Sequence, residues 1–555
     1  MINNKILNDN PHKIIQNYDH TPIDENPTFT SIIILTYNQL EYTKLCIESI
    51  RKFTLKGSYE IIVVDNNSTD DTPNWLRKQN DLKVIYNLEN KGFPAGCNQG
   101  IEISNGENIL LLNNDTVVTP NWLQNLKKAL YSSDTVGAVG SVSNNCSNYQ
   151  QIATSYQNIS EMLNFATGYN ISNKSFWKYK TRLIGFCYLI KKEVLDKIGL
   201  LDEIFSPGNF EDDDLSYRII CQGYNLLLCA DAFIHHFGSV SFSKNSNNFL
   251  NTFNKNSIKF KEKWGIDSGS ASIIKPEILN LVNDHPDRPI NILDANCGIG
   301  SSLLELKSRY KNANLYGITN SRNCAKLAKN ICNCIIADID SYILPYEEKF
   351  FDYIILDDII EHLKDPWMSL ANIKKYIKDG GYIIANIPNL MHISILSQIL
   401  NGNFTYTNTG LLDKSHLRFF TLSEIDNLFM SSEYNIISKS GSLINLSKDE
   451  ESLVDKLCSI YGQEFKQQYS TYQYIIKAQP NIDLQLFEQD KVFYFRKALL
   501  NIDCNKDIEN SLDIIFEFYQ NNIKSFDFYM NYLINNTIIN KDYVSNQVAS
   551  KLQLR

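Results

Sequence analysis

Residues 30–66 read TSIIILTYNQLEYTKLCIESIRKFTLKGSYEIIVVDN, and this stretch decides the fold. "TSIIILTY" is a β-branched run of strand length. "LEYTKLCIESIRKF" returns apolar residues at Cys46, Ile47, Ile50 and Phe53, the period of an amphipathic helix. "YEIIVVDNNS" is a second strand that ends in a polar turn. Strand, helix, strand is the grammar of a mostly parallel α/β sheet. Further along, "LKVIYNLEN" (82–90) and "NILLLNND" (108–115) add a third and a fourth strand. Ligand sites in open α/β sheets lie beyond the carboxyl ends of the strands. Those ends carry Thr36, Asn38, Asp65, Asn66, Asn90, Asn114 and Asp115, so one polar cleft is expected there.

The chain has 555 residues, too many for one hydrophobic core, and two to four domains are expected. With 43% hydrophobic and 21% charged residues it reads as folded and globular. A net charge of -9 offers no broad basic surface for nucleic acid. The polar start, "MINNKILNDNPHKIIQNYDH", lacks the basic and apolar regions of a signal peptide, and the longest apolar runs are strand-sized. No transmembrane segment and a cytoplasmic location are expected. The 12 cysteines show no CxxC pair, only Cys332 and Cys334 as a CxC, and read as reduced thiols.

Composition divides the chain further. After "NSIKFKEKWG" the run "DSGSAS" reads as a linker. A second α/β unit begins at "PINILDANCGIG" and ends at "STYQYIIKAQP"; the pattern is then helical, with no Gly or Pro after Pro480. The expected layout is an extension over 1–28, domains over 29–268 and 269–480, and a helical domain over 481–555.

Four further segments carry chemistry. Asp115 follows a buried strand, where a Mg²⁺- or Mn²⁺-bridged diphosphate could sit, although a strand-end Asp alone is often a turn residue. "NKGFPAGCNQG" (90–100) supplies small residues that allow close backbone approach to a ligand. "NFEDDDLSYRII" (209–220) crowds Glu211, Asp212, Asp213 and Asp214 onto a helix start. Helix capping is one use for them; repulsion that raises a pKa and makes one a proton acceptor is another. His235 and His236 close the next strand, within reach of a metal.

Taken together, residues 29–268 resemble a family 2 inverting glycosyltransferase of the GT-A fold, in its rhamnosyltransferase-like branch. The resemblance implies Asp65 on the base of a nucleotide-sugar donor, a UDP-sugar for instance, with Thr36 and Asn38 lining that pocket and Asn90, Gly92 and Asn98 completing it. It makes Asn114 and Asp115 the aspartate-x-aspartate signature, although Asn113 replaces the first acidic residue. Asp115 and His235 become the Mn²⁺ or Mg²⁺ ligands, and Asp212 the catalytic base, with Glu211 and Asp214 as the alternatives. The acceptor implied is a hydroxyl of a surface-destined protein such as flagellin, taking N-acetylglucosamine or a similar sugar. A growing polysaccharide is the competing acceptor.

"INILDANCGIGSSLLELKSRY" (290–310) is a strand, a glycine-bearing turn and a helix. With "FFDYIILDDIIEHLKDPW" and "TYTNTGLLDKSHLRFFT" it resembles a class I S-adenosylmethionine-dependent methyltransferase over about residues 285–480. Asp294, Gly298, Gly300, Thr319 and Asp338 would then face the cofactor. Asn296 stands in the place of a loop glycine, and Thr319 in the place of an acidic residue on the ribose hydroxyls. The lost charge-assisted contact is worth roughly 1.5–3 kcal/mol, which weighs against robust methyl transfer and leaves a bifunctional enzyme and a scaffold module as alternatives. In the tail, Phe487, Phe493, Tyr494, Phe516, Phe518 and Tyr519 recur at helical spacings, which suits a core, a homo-oligomer interface or an acceptor-docking face.

Overall fold

The computed structural model describes residues 10–238, 246–340, 343–480, 489–503, 505–521 and, between 526 and 553, all but 528, 532, 535–537 and 539. It is mixed α/β and falls into two compact units. The first comprises Met1–Ile274 with Cys297–Asn312 and Ser321–Ile336; the second comprises Lys275–Asn296, Ala313–Asn320 and Ala337–Arg555.

In the first unit nine strands form one sheet: β1 (Thr30–Thr36), β2 (Tyr59–Asp65), β3 (Leu82–Tyr86), β4 (Asn108–Asn113), β5 (Thr116–Val117), β6 (Val136–Ser143), β7 (Trp177–Lys180), β8 (Cys187–Lys191) and β9 (Asn225–His236). Their order is β3-β2-β1-β4-β8-β6-β9-β5, with β7 also on β9. The first four strands run parallel, and β8 lies antiparallel to β4. Ile32–Ile34, Ile61–Val64 and Ile109–Leu112 are fully buried, the continuous apolar runs that a sheet covered on both faces requires. The register pairs Thr36 with Asp65 and Leu35 with Asn113, so the polar strand ends share one edge.

Helix α1 (Leu40–Phe53) has the span read from the sequence and buries Cys46, Ile47, Ile50 and Phe53. Helix α2 (Phe93–Glu102) sits so close to β1 that a Cβ on Gly96 would meet Leu35 Cδ1 at 2.3 Å, and one on Gly100 would meet Ile33 Cγ2 at 2.6 Å. Gly96 and Gly100 thus serve helix–sheet packing. Helices α3 (Glu211–Cys221) and α4 (Ser246–Trp264) complete the scaffold around the site. The "DSGSAS" run is no free linker. Asp267 caps a short turn, Ser268–Ala271, and Ser268 Oγ donates to Asp213 at 2.7 Å.

The second unit holds β10 (Asn291–Asp294), β11 (Asn314–Thr319), β12 (Phe351–Asp357), β13 (Ile377–Pro388), β14 (Tyr434–Leu443) and β15 (Thr471–Pro480). Their order is β11-β10-β12-β13-β15-β14. β10 to β13 pair in parallel, while β15 runs antiparallel to both neighbours. This is the Rossmann-like arrangement expected.

Helices over Gln489–Asp503, Ile508–Asn521 and Lys541–Gln553 follow. They enclose a core of their own, in which Phe495 stacks on Phe518 with centroids 4.4 Å apart. Phe518 is therefore core, Phe516 and Tyr519 are half-buried, and Tyr494 is exposed. Phe487 and the side chain of Phe493 lie outside the described residues. Among the described residues, no helix is long and apolar enough to cross a membrane.

Candidate active site

The site is built on the carboxyl edge of β1, β2 and β4. Thr36 and Thr43 share a hydroxyl hydrogen bond of 2.9 Å, and Asn114 Nδ2 donates to Thr43 at 3.0 Å. That buried network fixes the turn after β4 and presents Asp115. Asn38 has a left-handed φ of 58°, and its side chain accepts from Thr69 N at 2.7 Å. It clasps the loop after β2, where Asp65, its carboxyl raised chiefly by burial, accepts from Ser68 N at 3.2 Å.

Three residues expected on the donor are committed elsewhere. Asn90 accepts from Asn66 Nδ2 at 2.9 Å and from Gly92 N at 2.9 Å. Gly92 has a φ of 84°, and a Cβ there would lie 2.8 Å from Pro207 Cα, so the close approach is to chain, not ligand. Asn98 is buried and bonds Leu201 on both its atoms, Nδ2 to the carbonyl and Oδ1 to the N–H, as well as Glu203.

The histidine pair divides by strand geometry. Successive side chains of a strand point to opposite faces, so only one histidine faces Asp115. β5 pairs antiparallel with the end of β9, setting Thr116 opposite His236, and Phe237 N donates to the Asp115 carbonyl at 3.0 Å. His236 Nε2 stands 3.2 Å from Asp115 Oδ1. Its Nδ1 donates to the Asn145 carbonyl at 2.7 Å, so Nε2 must carry a proton to bond Asp115 and offers a lone pair only where a cation takes that proton's place. Burial lowers the His236 pKa, but the hydrogen bond and charge of Asp115 outweigh it and the net shift is upward.

His235, the expected ligand, instead enters the aromatic core. Its Nδ1 meets Tyr156 Oη at 2.6 Å, its ring lies edge-on to Phe237, and burial, then the charge of His236, lowers its pKa to about 3. The metal-ready pair is Asp115 and His236, an oxygen and an imidazole nitrogen suited to Mn²⁺ or Mg²⁺ with diphosphate oxygens.

The four carboxylates at the start of α3 have four fates. Asp214, fully buried, is held by Arg218 Nε at 2.8 Å, Lys263 Nζ at 2.6 Å and Trp264 Nε1 at 2.9 Å. Asp213 takes a guanidinium nitrogen of Arg182 at 2.9 Å on both oxygens. Glu211 is buried, its Oε2 has no hydrogen-bond partner among the described residues, and burial followed by the charge of Asp212 pushes its pKa well above the carboxylate range. Asp212 is the half-buried member, and burial, then the charge of Asp213, moves its pKa up to about 6. A carboxylate poised there is suited to accepting a proton near neutral pH.

Sequence reasoning passed over the bridge between these groups. Gly185 N donates to Asp212 Oδ2 at 2.9 Å, while the adjoining Phe186 stacks on His236 with centroids 5.2 Å apart. Gly185 and Phe186 lie just before β8, which inserts antiparallel, and no local pattern marks that insertion. Asn144 Oδ1, accepting from His236 N at 2.9 Å, was missed for the same reason.

In the second unit Asp294 is buried, accepts from Asn296 N at 3.1 Å, and is raised to about 7 by burial and then by the charge of Asp357. The Asn296 side chain, in the place of a loop glycine, donates to the carbonyls of Asp357 and Asp358 at 3.3 and 3.4 Å. Thr319 is buried, and its carbonyl accepts from Ala337 N at 3.1 Å. Asp338 is exposed and closes a local turn onto Asp340 N. In the first unit Gly298 and Gly300 have φ of 52° and 93°, and a Cβ on Gly298 would meet nothing within 4 Å. Those backbones suit a cofactor loop, while Thr319 supplies no acidic group.

The first unit thus sets an Asp115–His236 pair at the carboxyl edge of its sheet, joined to Asp212 through Gly185 and Phe186. Residues 31–199 match glycosyl transferase family 2, and residues 271–439 match a methyltransferase domain. The chain thus carries a family 2 glycosyltransferase domain followed by a methyltransferase domain. The putative glycosyltransferase EpsH of Bacillus subtilis (strain 168) is 36% identical over 86 residues, 15% of this chain and 24% of that protein. N-methyltransferase 4 of Papaver somniferum is 35% identical over 96 residues, 16% of this chain and 27% of its own length. The chain spans about a quarter of the length of these curated relatives. Among solved structures, a mannosyltransferase of Pyrobaculum calidifontis in complex with GDP-Man and Mn²⁺ is similar at 20% identity and a TM-score of 0.31, covering 42% of this chain and 64% of that one.

Proposed function

We propose that the first unit transfers a sugar, with inversion, from a nucleotide-sugar donor to an acceptor hydroxyl, using a divalent cation. The observation that carries this reading is the Asp115–His236 pair beside an Asp212 poised at about 6. Asp115 and His236 would hold Mn²⁺ or Mg²⁺, which neutralises the leaving diphosphate. Asp212 accepts the acceptor proton on Oδ1 or Oδ2, the two oxygens steadied by Asp213 N and Gly185 N. Asp65 and Thr36 lie at the strand ends that face the nucleoside.

The acceptor we propose is a surface-destined protein, flagellin for example, glycosylated in the cytoplasm with a sugar of N-acetylglucosamine type from a UDP donor. A polysaccharide is the competing acceptor. The test is nucleoside diphosphate release from a panel of nucleotide sugars with and without Mn²⁺. Full turnover after exhaustive chelation would sink the reading.

A further inference from the structure

The methyltransferase-like unit holds a second constellation with metal-ligand character. Glu361 and His362 lie on a single 3₁₀ turn, Ile360–His362, shortly after β12, and His416 comes from the loop leading to the helix Leu422–Ser431. One ligand atom from each of the three lies within 4.8 Å of the other two. Two backbone bonds pin the turn to the loop: Leu417 N and Arg418 N both donate to the Glu361 carbonyl, at 2.8 and 3.0 Å.

The donors are arranged for a cation. His416 Nδ1 meets the Leu411 carbonyl at 3.2 Å, and His362 Nδ1 meets the Ser415 carbonyl at 3.1 Å. Each bond assigns its proton to Nδ1 and leaves an Nε2 lone pair, the tautomer a metal-binding histidine takes. Glu361 is 1% exposed, and neither of its carboxylate oxygens has a hydrogen-bond partner among the described residues. A buried carboxylate without partners is costly unless something neutralises it. His416 Nε2 stands 4.0 Å from Glu361 Oε1. Metal bonds of about 2.0–2.1 Å set the donors of a tetrahedral ion about 3.3 Å apart, so donor pairs now up to 4.8 Å apart must draw together by up to about 1.5 Å, within the reach of side-chain rotation.

We propose that Glu361, His362 and His416 bind a divalent transition-metal ion in the second unit. Two imidazole nitrogens and one carboxylate oxygen select Zn²⁺, Co²⁺, Fe²⁺ or Mn²⁺ over Ca²⁺. Three protein ligands leave a coordination position for water or a substrate oxygen. The site is independent of the cation at Asp115 and His236.

The experiment titrates the full-length, metal-stripped protein with Co²⁺, read by its visible absorption and by equilibrium dialysis. His236→Ala removes the first-unit ligand and serves as the background. In that background one Co²⁺ should remain, and adding Glu361→Gln or His416→Ala should weaken its binding at least 100-fold and erase the band. His362→Gln, a half-buried position, repeats the test should His416→Ala disturb the fold by circular dichroism. Absence of Co²⁺ binding in the background, or binding indifferent to Glu361, His362 and His416, would overturn the proposal. Equal stoichiometry in wild type and His236→Ala would instead count against the first-unit metal and leave this site standing.

Discussion

The pH dependence of donor turnover tests the division of labour at α3. If Asp212 is the base, only its carboxylate form is productive, and its pKa is raised by burial and the charge of Asp213 to about 6. Activity must therefore rise with pH through that value. At pH 6 half of the plateau kcat/KM remains, and at pH 5 about a tenth. His236 also titrates, with its pKa raised, and its protonation competes with the metal, so a second limb can arise in the same direction. Metal concentration separates the two. A limb from His236 moves to lower pH as Mn²⁺ increases, whereas the Asp212 limb stays. The assay is nucleoside diphosphate release at several Mn²⁺ concentrations between pH 4.5 and 8.5. Asp212→Asn should lower the rate about 100- to 10,000-fold and abolish the fixed limb. Its amide supplies one acceptor where Gly185 N and Asp213 N each need one, so some stability is lost too, and a melting curve must accompany the kinetics. A limb that shifts wholly with Mn²⁺, or a plateau that extends below pH 5, refutes the reasoning.

Other expectations follow from single contacts. In a Glu361→Gln background, which removes the second-unit ligand, His236→Ala should abolish Mn²⁺-dependent stabilisation in a thermal melt, while His235→Phe, within the Tyr156 and Phe237 cluster, should retain it. Asp214→Ala removes the buried carboxylate that Arg218, Lys263 and Trp264 share, but Lys263 keeps Asp202 and Arg218 keeps the carbonyls of Ile198, Gly199 and Leu200, so a cost of about 1–3 kcal/mol is expected by urea unfolding. Gly92→Ala meets both a φ of 84° and the Pro207 backbone, and a loss of about 1–3 kcal/mol is expected from the same measurement. Full-length protein should show weak or no heat with S-adenosylmethionine in calorimetry, and Thr319→Asp should tighten binding about 10- to 100-fold. Low-micromolar affinity in the unaltered chain would contradict that expectation.

Much of this was legible in residues 30–115, because parallel buried strands print themselves as apolar runs that end in polar turns. Asp115 could be placed at the sheet edge from "NILLLNND" alone. The resemblance picks His235, whereas adjacent strand residues alternate faces and the register against β5, a long-range fact, turns His236 to Asp115. The four carboxylates told the same story: Lys263 and Trp264 reach Asp214 from 50 residues away. Gly92 and Asn98 were read as ligand contacts because chain-on-chain closeness and chain-on-ligand closeness favour the same residue types.

Arg182 has a consequence for how this chemistry can drift. Its guanidinium clamps Asp213, and its charge also holds the neighbouring Asp212 down against burial. Losing that one cation would leave Asp213 uncompensated and remove a direct brake, and both effects drive the base upward. The working pH of the domain is thus adjustable from a side chain that need not touch donor or acceptor. If Asp212 is the base, trading Arg182 for a neutral residue moves the activity profile in one direction only, toward more alkaline pH, and leaves the reacting groups intact.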